Sequence, residues 1–258
     1  MIMGILNVTP DSFSDGGRFL ADDAAIAHGL RLIADGADVL DIGGESTRPG
    51  AAPVSASVEL QRVLPVIEGL RGAGAVLSID TMKPEVAEAA LGAGAQLWND
   101  VSGFRQADSL EVAGRLKPSV AVMHMQGEPR TMQADPTYTD VVEEVGGFLA
   151  DTAARLVGLG IKDIWVDPGI GFGKGLEHNL ALTRSLAELK ARCGCRLLYG
   201  ASRKSVIGKI DRAATAAQDR LGGSLALALF AAQAGADMLR VHDVRETVQA
   251  LQVWRSIA

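Results

Sequence analysis

The stretch Asp35-Gly-Ala-Asp-Val-Leu-Asp-Ile42 joins a glycine-containing turn to a short apolar run, and this combination recurs along the chain. Similar turns at residues 92–95, 158–161 and 234–237 each precede an apolar run. Glycine tolerates the left-handed backbone conformation in which many helices end. The recurrence therefore predicts repeated turns, each of which leads from a helix into the next strand.

The apolar runs alternate with longer stretches rich in alanine, leucine and arginine, as expected of parallel strands joined by helices. They predict eight strands, at residues 3–8, 39–42, 76–79, 96–98, 120–123, 164–166, 197–200 and 238–241. No linker rich in proline, glycine or serine divides the chain. We therefore predict an α/β fold in which residues 1–258 form one (β/α)₈ TIM barrel domain. An open, doubly wound sheet is the alternative.

The overall composition argues against several classes of protein. Apolar residues make up 48% of the chain and charged residues 22%, which is typical of a folded protein with a large core. The net charge of −6 gives no basic surface for nucleic acid or anionic lipid. No apolar run is long enough to span a membrane, and the N-terminus lacks the basic and apolar regions of a signal peptide. We therefore expect a cytoplasmic protein with no nucleic-acid or membrane partner.

Polar side chains stand at the ends of nearly all the predicted strands. In a TIM barrel the functional groups lie just beyond the carboxyl ends of the strands. One such residue could instead cap a helix, as Asp80 could ahead of Thr81 and Pro84. Helix capping poorly explains a whole set of polar residues at equivalent strand ends. We therefore predict an active site at the carboxyl ends of the strands. The set comprises Asn7, Glu45, Asp80, Asn99, Asp100, His124, Asp167, Ser202, Arg203, Lys204, Arg240 and His242.

Two groups of these side chains indicate the kind of ligand. Asp80, Asn99 and Asp167 offer carboxylate and amide groups suited to a flat heterocycle with several N–H donors. They could equally bind a metal. A hard cation is the less favoured interpretation, because the acids lie on separate strands and no paired ligand motif accompanies them. A cationic group indicates a phosphorylated substrate, with surface ion pairs as the alternative. This group comprises Arg48, Lys204, Arg240 and His242.

Two polar loops with several glycines follow the first two strands, at residues 9–17 and 43–50. Their length and composition predict lids that move over the site. Phe13 is an apolar ring on the first of these loops. It is suited to covering a substrate, and packing beneath the loop is the alternative.

These motifs resemble the signatures of the dihydropteroate synthase family over nearly the whole chain. The two longest are Gly4-Ile-Leu-Asn-Val-Thr-Pro-Asp-Ser-Phe-Ser-Asp-Gly-Gly17 and Asp41-Ile-Gly-Gly-Glu-Ser-Thr-Arg-Pro-Gly50. The others follow in the family's order and are Ser78-Ile-Asp-Thr81, Asn99-Asp-Val-Ser-Gly103, Met123-His-Met-Gln-Gly127, Asp167-Pro-Gly-Ile-Gly-Phe-Gly-Lys174, Ser202-Arg-Lys-Ser205 and Arg240-Val-His-Asp-Val244.

The resemblance implies a TIM barrel enzyme, usually a homodimer, that acts as a transferase in folate biosynthesis. Such an enzyme joins 6-hydroxymethyl-7,8-dihydropterin diphosphate to para-aminobenzoate and releases pyrophosphate, assisted by Mg²⁺. In the mechanism that this implies, the diphosphate departs early and the arylamine then attacks the pterin methylene.

The resemblance also implies roles for individual residues, in four groups. The pterin would be held by Asp80, Asn99, Asp167 and Lys204, with Met123 and Gly200 lining its slot. The diphosphate would be bound by Asn7, Arg48, Arg240 and His242, of which Asn7 would also bind Mg²⁺. The para-aminobenzoate would be framed by Phe13, Thr47, Pro49, Phe172, Ser202 and Lys204. The residues expected to act in catalysis are Asn7, Arg48 and Lys204.

Two other functions are compatible with a pterin-binding barrel. A methyltransferase that moves a methyl group from a folate to a corrinoid would not need Arg48, Arg240, His242 or the two lid signatures. A catalytically silent relative would have lost residues of the lids or of the cationic group. All of these residues are present, so the synthase is favoured.

Two further expectations follow from the resemblance. Family members usually carry an N-terminal extension that forms a hairpin below the barrel, whereas the first predicted strand begins almost at Met1. We expect this difference to affect stability and not the site. Phe13, Thr47 and Pro49 match the family's sulfonamide-sensitive pattern, so the resemblance implies a sulfonamide target.

Overall fold

Eight parallel strands close into a barrel in chain order, with the first strand paired to the last. The structure is a computed structural model that describes residues 1–9, 17–47 and 50–257. The (β/α)₈ barrel is confirmed and the open sheet is excluded. The strands are β1 (Ile2–Asn7), β2 (Val39–Gly43), β3 (Val76–Asp80), β4 (Leu97–Asp100), β5 (Ser119–Met123), β6 (Ile164–Asp167), β7 (Arg196–Tyr199) and β8 (Met238–Val241).

Helices follow the strands and surround the barrel. A continuous apolar core between the two layers includes Leu6, Ile42, Ile67, Ile79 and Trp98, all fully buried. Within the described ranges, no helix is long and apolar enough to cross a membrane. The helices are α1 (Gly17–Ala34), α2 (Ala56–Leu70), α3 (Pro84–Ala93), α4 (Ser109–Leu116), α5 (Val141–Gly158), α6 (Leu176–Arg184), α7 (Leu186–Cys193), α8 (Ser205–Ile210), α9 (Leu221–Gln233) and α10 (Val244–Ile257), with a 3₁₀ turn at Ala217–Arg220.

The glycine-containing turns adopt the conformation that the sequence predicts. Gly36, Gly94, Gly160 and Gly235 have φ angles of 105°, 130°, 83° and 90°. This is the left-handed region, which side chains disfavour. Each turn therefore ends a helix and delivers the chain into the amino end of the next strand.

Side chains inside the barrel form layers because alternate residues of a strand face the same side. An apolar layer, here called the floor, closes the amino ends of the strands. Its members are Met3, Val39, Val76, Leu97, Ala121, Trp165, Leu198 and Met238. Two residues further along each strand stand Ile5, Asp41, Ser78, Asn99, Met123, Asp167, Gly200 and Arg240. The polar site is therefore the layer directly above the floor.

The strands extend further than predicted through several polar residues. Asp80 pairs in register with Asn99, and Met123 pairs with Asp167. Asp100 also lies within its strand, opposite Val122. These residues form the last hydrogen-bonded pairs of the parallel strands. They do not belong to the loops beyond the strands. The side chains are consequently fixed by the barrel itself.

Candidate active site

Asp41 lies at the centre of the polar layer and is only 1% exposed. It accepts hydrogen bonds from Ser78 Oγ at 2.6 Å, Asn99 Nδ2 at 3.0 Å and Arg240 Nε at 2.6 Å. Sequence analysis assigned no role to this residue, although it included it in a motif. Asp41 stands two positions after Val39 of the floor, and this alternation was the signal that could have placed it inside the barrel. It orients both Asn99 and Arg240.

Arg240 bridges two carboxylates. In addition to its contact with Asp41, its Nη2 donates to Asp80 Oδ2 at 2.6 Å. Although burial acts in the opposite direction, Asp41 and Asp80 hold the pKa of Arg240 above its usual range. The guanidinium therefore remains charged and keeps the two acids apart.

Asp80 ends β3 and presents one carboxylate oxygen without a partner. Its Oδ1 is buried and has no hydrogen bond among the described residues. Burial raises the pKa of Asp80, while Arg240 opposes the shift. A buried acceptor that lacks a donor is costly unless a ligand supplies one. Asp80 Oδ1 is thus a candidate acceptor for a ligand N–H group.

Asp167, the last residue of β6, lies next to Gly200, which directly follows β7. Asp167 Oδ1 accepts from the backbone N–H of Gly169 at 2.7 Å. A Cβ atom on Gly200 would lie 3.6 Å from Asp167 Oδ2 and 3.5 Å from Arg240 Cβ. The absent side chain leaves the second oxygen of Asp167 accessible. Burial raises the pKa of Asp167, and Lys204 is the main opposing influence.

Lys204 lies beside these acids, with its ammonium held by the loop after β6. Its Nζ donates to the carbonyl oxygen of Ile170 and lies 4.6 Å from the centre of the Phe172 ring. Burial lowers the pKa of Lys204 to about 8, and Asp167 opposes this shift. A cation over an aromatic face is favourable when partly desolvated. This pair places a charge and a flat apolar surface at one edge of the site.

A second group of predicted residues also meets at this end of the barrel. Ser202 Oγ lies 3.1 Å from His242 Nδ1 and accepts from the His242 backbone N–H at 3.2 Å. Asn7 ends β1 and is paired in register with Gly43. Met123 is buried in an apolar cluster against which Phe172 packs.

Three of the predicted site residues, Phe13, Arg48 and Pro49, lie outside the described residues. Thr47, which directly precedes residues 48 and 49, is partly exposed. The roles expected of these four residues therefore stay predictions.

Asp100 does not face the site, contrary to the expectation that the whole set of strand-end residues does, and Glu45 and Arg203 are held in ion pairs. Asp100 is fully buried and accepts from the backbone N–H groups of Ser102 and Phe104 at 2.7 and 2.9 Å, which fixes a turn. Glu45 pairs with Lys83, and Arg203 pairs with Asp243. The cause is geometric for Asp100, because it follows Asn99 and neighbouring strand residues point to opposite faces.

An open cleft of about 520 Å³ lies beside the polar layer. It is lined by residues that follow β2 to β5, including Ser46, Met82, Ser102, Met125 and Arg130. None of Asp80, Asn99, Asp167 or Lys204 lines it. We place the site at the polar layer and not in the cleft, because the buried charged groups and the unpartnered acceptor converge there.

The fold and the polar layer define a (β/α)₈-barrel enzyme with its site at the carboxyl ends of the strands. Residues 3–242 match the family model described as "Pterin binding enzyme". The dihydropteroate synthase of Escherichia coli (strain K12) is 47% identical over 255 residues, which cover 98% of this chain and 89% of that protein.

Solved structures agree with the sequence relatives. Xanthomonas albilineans dihydropteroate synthase with 4-aminobenzoic acid has a TM-score of 0.92 and 48% identity, covering 99% of this chain and 92% of that one. The same enzyme in complex with 7,8-dihydropteroate has a TM-score of 0.88 and 45% identity, with the same coverage. The chain belongs to the dihydropteroate synthase family of pterin-binding enzymes.

Proposed function

We propose that the chain joins 6-hydroxymethyl-7,8-dihydropterin diphosphate to para-aminobenzoate and forms 7,8-dihydropteroate and pyrophosphate. The observation that carries this proposal is the convergence of Asp80 with the buried Asn99 and Asp167 at the carboxyl ends of the strands, with Asp80 Oδ1 unpartnered among the described residues. Relatives crystallised with 4-aminobenzoic acid and with 7,8-dihydropteroate support it.

The pterin would lie above the floor, with its N–H groups directed at carboxylates. Asp80 Oδ1 and Asp167 Oδ2 are the available acceptors, and the missing side chain of Gly200 leaves room beside the latter. One N–H of Asn99 is used by Asp41, so its amide oxygen has a fixed orientation. Met123 and Lys204 would complete this slot. Carboxylates pair well with the N–H groups of an aminopyrimidine edge.

The diphosphate would be bound by Asn7, Arg48, Arg240 and His242. The Arg240 fork has five N–H donors, and Asp41 and Asp80 each use one of its nitrogens, which leaves donors for a phosphate oxygen. Arg48 and His242 would complete this subsite.

A magnesium ion fits the donors at this end of the barrel. No group of three His, Cys, Asp or Glu that could hold a metal occurs in the described part of the chain. Mg²⁺ typically binds through substrate phosphates, waters and only one or two protein oxygens, so the amide oxygen of Asn7 would suffice. When bound, the ion would neutralise charge on the departing diphosphate.

The arylamine would lie against Phe172 and Lys204, with Ser202 nearby. The Phe172 ring offers a flat apolar surface, and the Lys204 ammonium above it would attract the carboxylate of para-aminobenzoate. Phe13, Thr47 and Pro49 would close this pocket from the two lids.

The reaction follows from these placements. The bond between the pterin methylene and the diphosphate oxygen breaks first. The bond to the arylamine nitrogen then forms, and the proton of that nitrogen passes to the released pyrophosphate. Asp80 and Asp167 accept hydrogen bonds from the ring while positive charge develops on it, which stabilises that charge. Arg48, Arg240 and Asn7 hold the leaving group, and the lids exclude water. No covalent bond to the enzyme is needed.

The direct test is an omission assay. The protein is incubated with the pterin diphosphate, para-aminobenzoate and Mg²⁺, and pyrophosphate release is measured with each component left out in turn. We expect steady release only from the complete mixture. Steady release at the same rate without para-aminobenzoate would contradict the proposal, because the arylamine would then not be a substrate.

Lys204 should make the reaction sensitive to alkaline pH. Its pKa is lowered to about 8, so its positive charge is present below that pH and lost above it. We expect kcat/KM for para-aminobenzoate, which reports the enzyme form that binds this substrate, to fall as the pH rises through about 8. In a Lys204→Arg variant the charge persists, so its alkaline limb should move to higher pH even if its maximal rate is lower. Identical alkaline limbs in the two proteins would refute this assignment.

We also propose a homodimer formed through α9 and α10, two helices that pack side by side. Phe230 on α9 and Val253 and Ile257 on α10 are exposed by 44%, 58% and 80%. Apolar side chains on adjoining helices suit an interface between copies. We also propose that residues 1–258 form a single domain. The cytoplasmic location and the role as a sulfonamide target stay predictions.

Sedimentation of single variants tests the dimer. The protein should sediment with the mass of two chains, and Phe230→Glu should sediment with the mass of one. Val157→Glu is the matched control, because Val157 on α5 is 59% exposed and lies away from α9 and α10. A wild-type monomer, or a Phe230→Glu variant that stays dimeric, would count against this interface.

A further inference from the structure

We propose that Lys174 is a positioning residue that holds Phe172 and the Lys204 ammonium in place for the arylamine. This inference rests on the proposed function. Lys174 is a buried lysine for which the reaction described above has no use; burial lowers its pKa to about 7, and Asp167 opposes this shift. It lies at the end of the loop after β6, which is called here the β6 loop and comprises residues 168–174.

The three contacts of Lys174 Nζ among the described residues go to the two loops that flank the site. Its Nζ lies 3.0 Å from His124 Nδ1 and donates to the carbonyl oxygens of His124 at 3.1 Å and Phe172 at 2.9 Å. The residue is 1% exposed. Burial of the ring, reinforced by the Lys174 charge, lowers the pKa of His124 to about 3. His124 is therefore neutral, and its Nδ1 accepts from Lys174.

The β6 loop fits closely against the end of β5, which explains why a fixed connection matters. A Cβ atom on Gly169 would lie 1.9 Å from the His124 carbonyl oxygen, and one on Gly173 would lie 2.4 Å from that of Gln126. Both glycines have positive φ angles, of 69° and 63°. The two backbones are therefore in direct contact, and Lys174 spans the same contact from the other side.

Other side chains fix the outer part of the same loop. Gln133 Nε2 donates to the Gly171 carbonyl oxygen at 2.6 Å, and Tyr138 Oη donates to that of Gly173 at 2.7 Å. Asn179 Oδ1 accepts from the Gly171 N–H at 2.7 Å. Several side chains therefore hold the β6 loop in place, and Lys174 joins it to the segment directly after β5.

The held loop carries the groups that contact Lys204. The Ile170 carbonyl oxygen accepts from Lys204 Nζ, and the Phe172 ring lies below the same ammonium. Lys174 bonds directly to the carbonyl of Phe172. Removing its ammonium would leave two buried carbonyl oxygens and a ring nitrogen without donors, which favours movement of the loop. Such movement displaces both contacts of Lys204 together.

The test compares Lys174→Met with Lys190→Met. Methionine keeps the length of the side chain and removes its donors. Lys190 also donates to a carbonyl oxygen and a further acceptor, Gly235 at 2.9 Å and Asp237 at 2.8 Å, but in a turn at the amino ends of the strands. We expect Lys174→Met to raise KM for para-aminobenzoate about tenfold or more, because displacement of a positioning group by an ångström is costly. The dissociation constant of the pterin diphosphate should change less, since Asp80 and Asn99 are untouched.

Amide hydrogen exchange gives a readout that does not depend on the reaction. Exchange at residues 169–173 should be faster in Lys174→Met than in the wild type and unchanged in Lys190→Met. Tyr138→Phe removes one hydrogen bond to the same loop and should raise KM for para-aminobenzoate by a smaller factor. It provides the test if Lys174→Met does not fold.

Three results would overturn the inference. The first is a Lys174→Met protein of lower melting temperature with wild-type KM, which would indicate a purely structural residue. The second is unchanged exchange of the β6 loop. The third, if only Tyr138→Phe folds, is a wild-type KM in that variant. Failure of the wild type and of Lys190→Met to form product would instead contradict the proposed function.

Discussion

Replacing Asp167 by alanine is expected to weaken binding of the pterin diphosphate by roughly a hundredfold. Asp167 is 4% exposed, and Gly200 leaves its Oδ2 accessible to a ligand. Loss of a buried charged hydrogen-bond partner in a complex costs about 3 kcal/mol, or roughly a hundredfold in affinity. Isothermal calorimetry with the pterin diphosphate in the absence of para-aminobenzoate measures this effect without turnover.

Asp163→Ala is the matched control for this experiment. Asp163 immediately precedes β6 at the amino end, where it accepts from Ser119 Oγ at 2.7 Å and pairs with Arg196. It belongs to the same strand region but to the opposite end of the barrel. We expect its pterin affinity to match that of the wild type. Equal affinity in Asp167→Ala and the wild type would remove Asp167 from the site.

Replacing Asp41 by alanine is expected to damage both stability and activity. Asp41 is the common acceptor of Ser78, Asn99 and Arg240, so its loss leaves three donors in the barrel interior without their partner. Breaking a buried ion pair from one side costs about 3 kcal/mol or more. The free energy of unfolding, measured in urea, should fall by about that amount. kcat/KM should fall by roughly a hundredfold in the remaining folded protein, because Asn99 and Arg240 lose their orientation.

Asp38→Ala separates this effect from the general loss of an aspartate next to β2. Asp38 is exposed, precedes β2 and accepts from the backbone N–H of Ile2 at 2.7 Å. Its loss should lower stability slightly and leave kcat/KM unchanged. If Asp41→Ala retained wild-type kcat/KM, Asp41 would not be needed to orient the site.

The fold could be predicted from the sequence because its signals are local. The turn at residues 35–38 and its repeats each specify a helix end, and each is followed by an apolar run of strand length. Closure of eight such units into a barrel then follows from the number of units and the absence of a linker. The predicted ends of the strands were less accurate. Asp80, Asn99 and Asp167 belong to the strands, although their polarity suggests a loop.

The site could be predicted only in part, because the type of a residue does not determine which face of a strand its side chain occupies. Asn99 and Asp100 are neighbours with similar polarity, yet Asn99 contacts Asp41 and Asp100 fixes a turn. Asp41 and Arg240 meet across 199 positions in the sequence. Lys174 ended a recognised motif, but its role depends on a contact with His124 that only the tertiary structure brings together.

The central claim is that acids and an amide from separate strands surround one pterin ring inside the barrel. A crystal structure of the protein with the pterin diphosphate tests it most directly. We predict that the ring lies above the floor and donates N–H groups to Asp80 Oδ1 and Asp167 Oδ2, with Lys204 at its edge. A ring bound instead in the cleft between Ser46 and Arg130, away from both aspartates, would contradict the account.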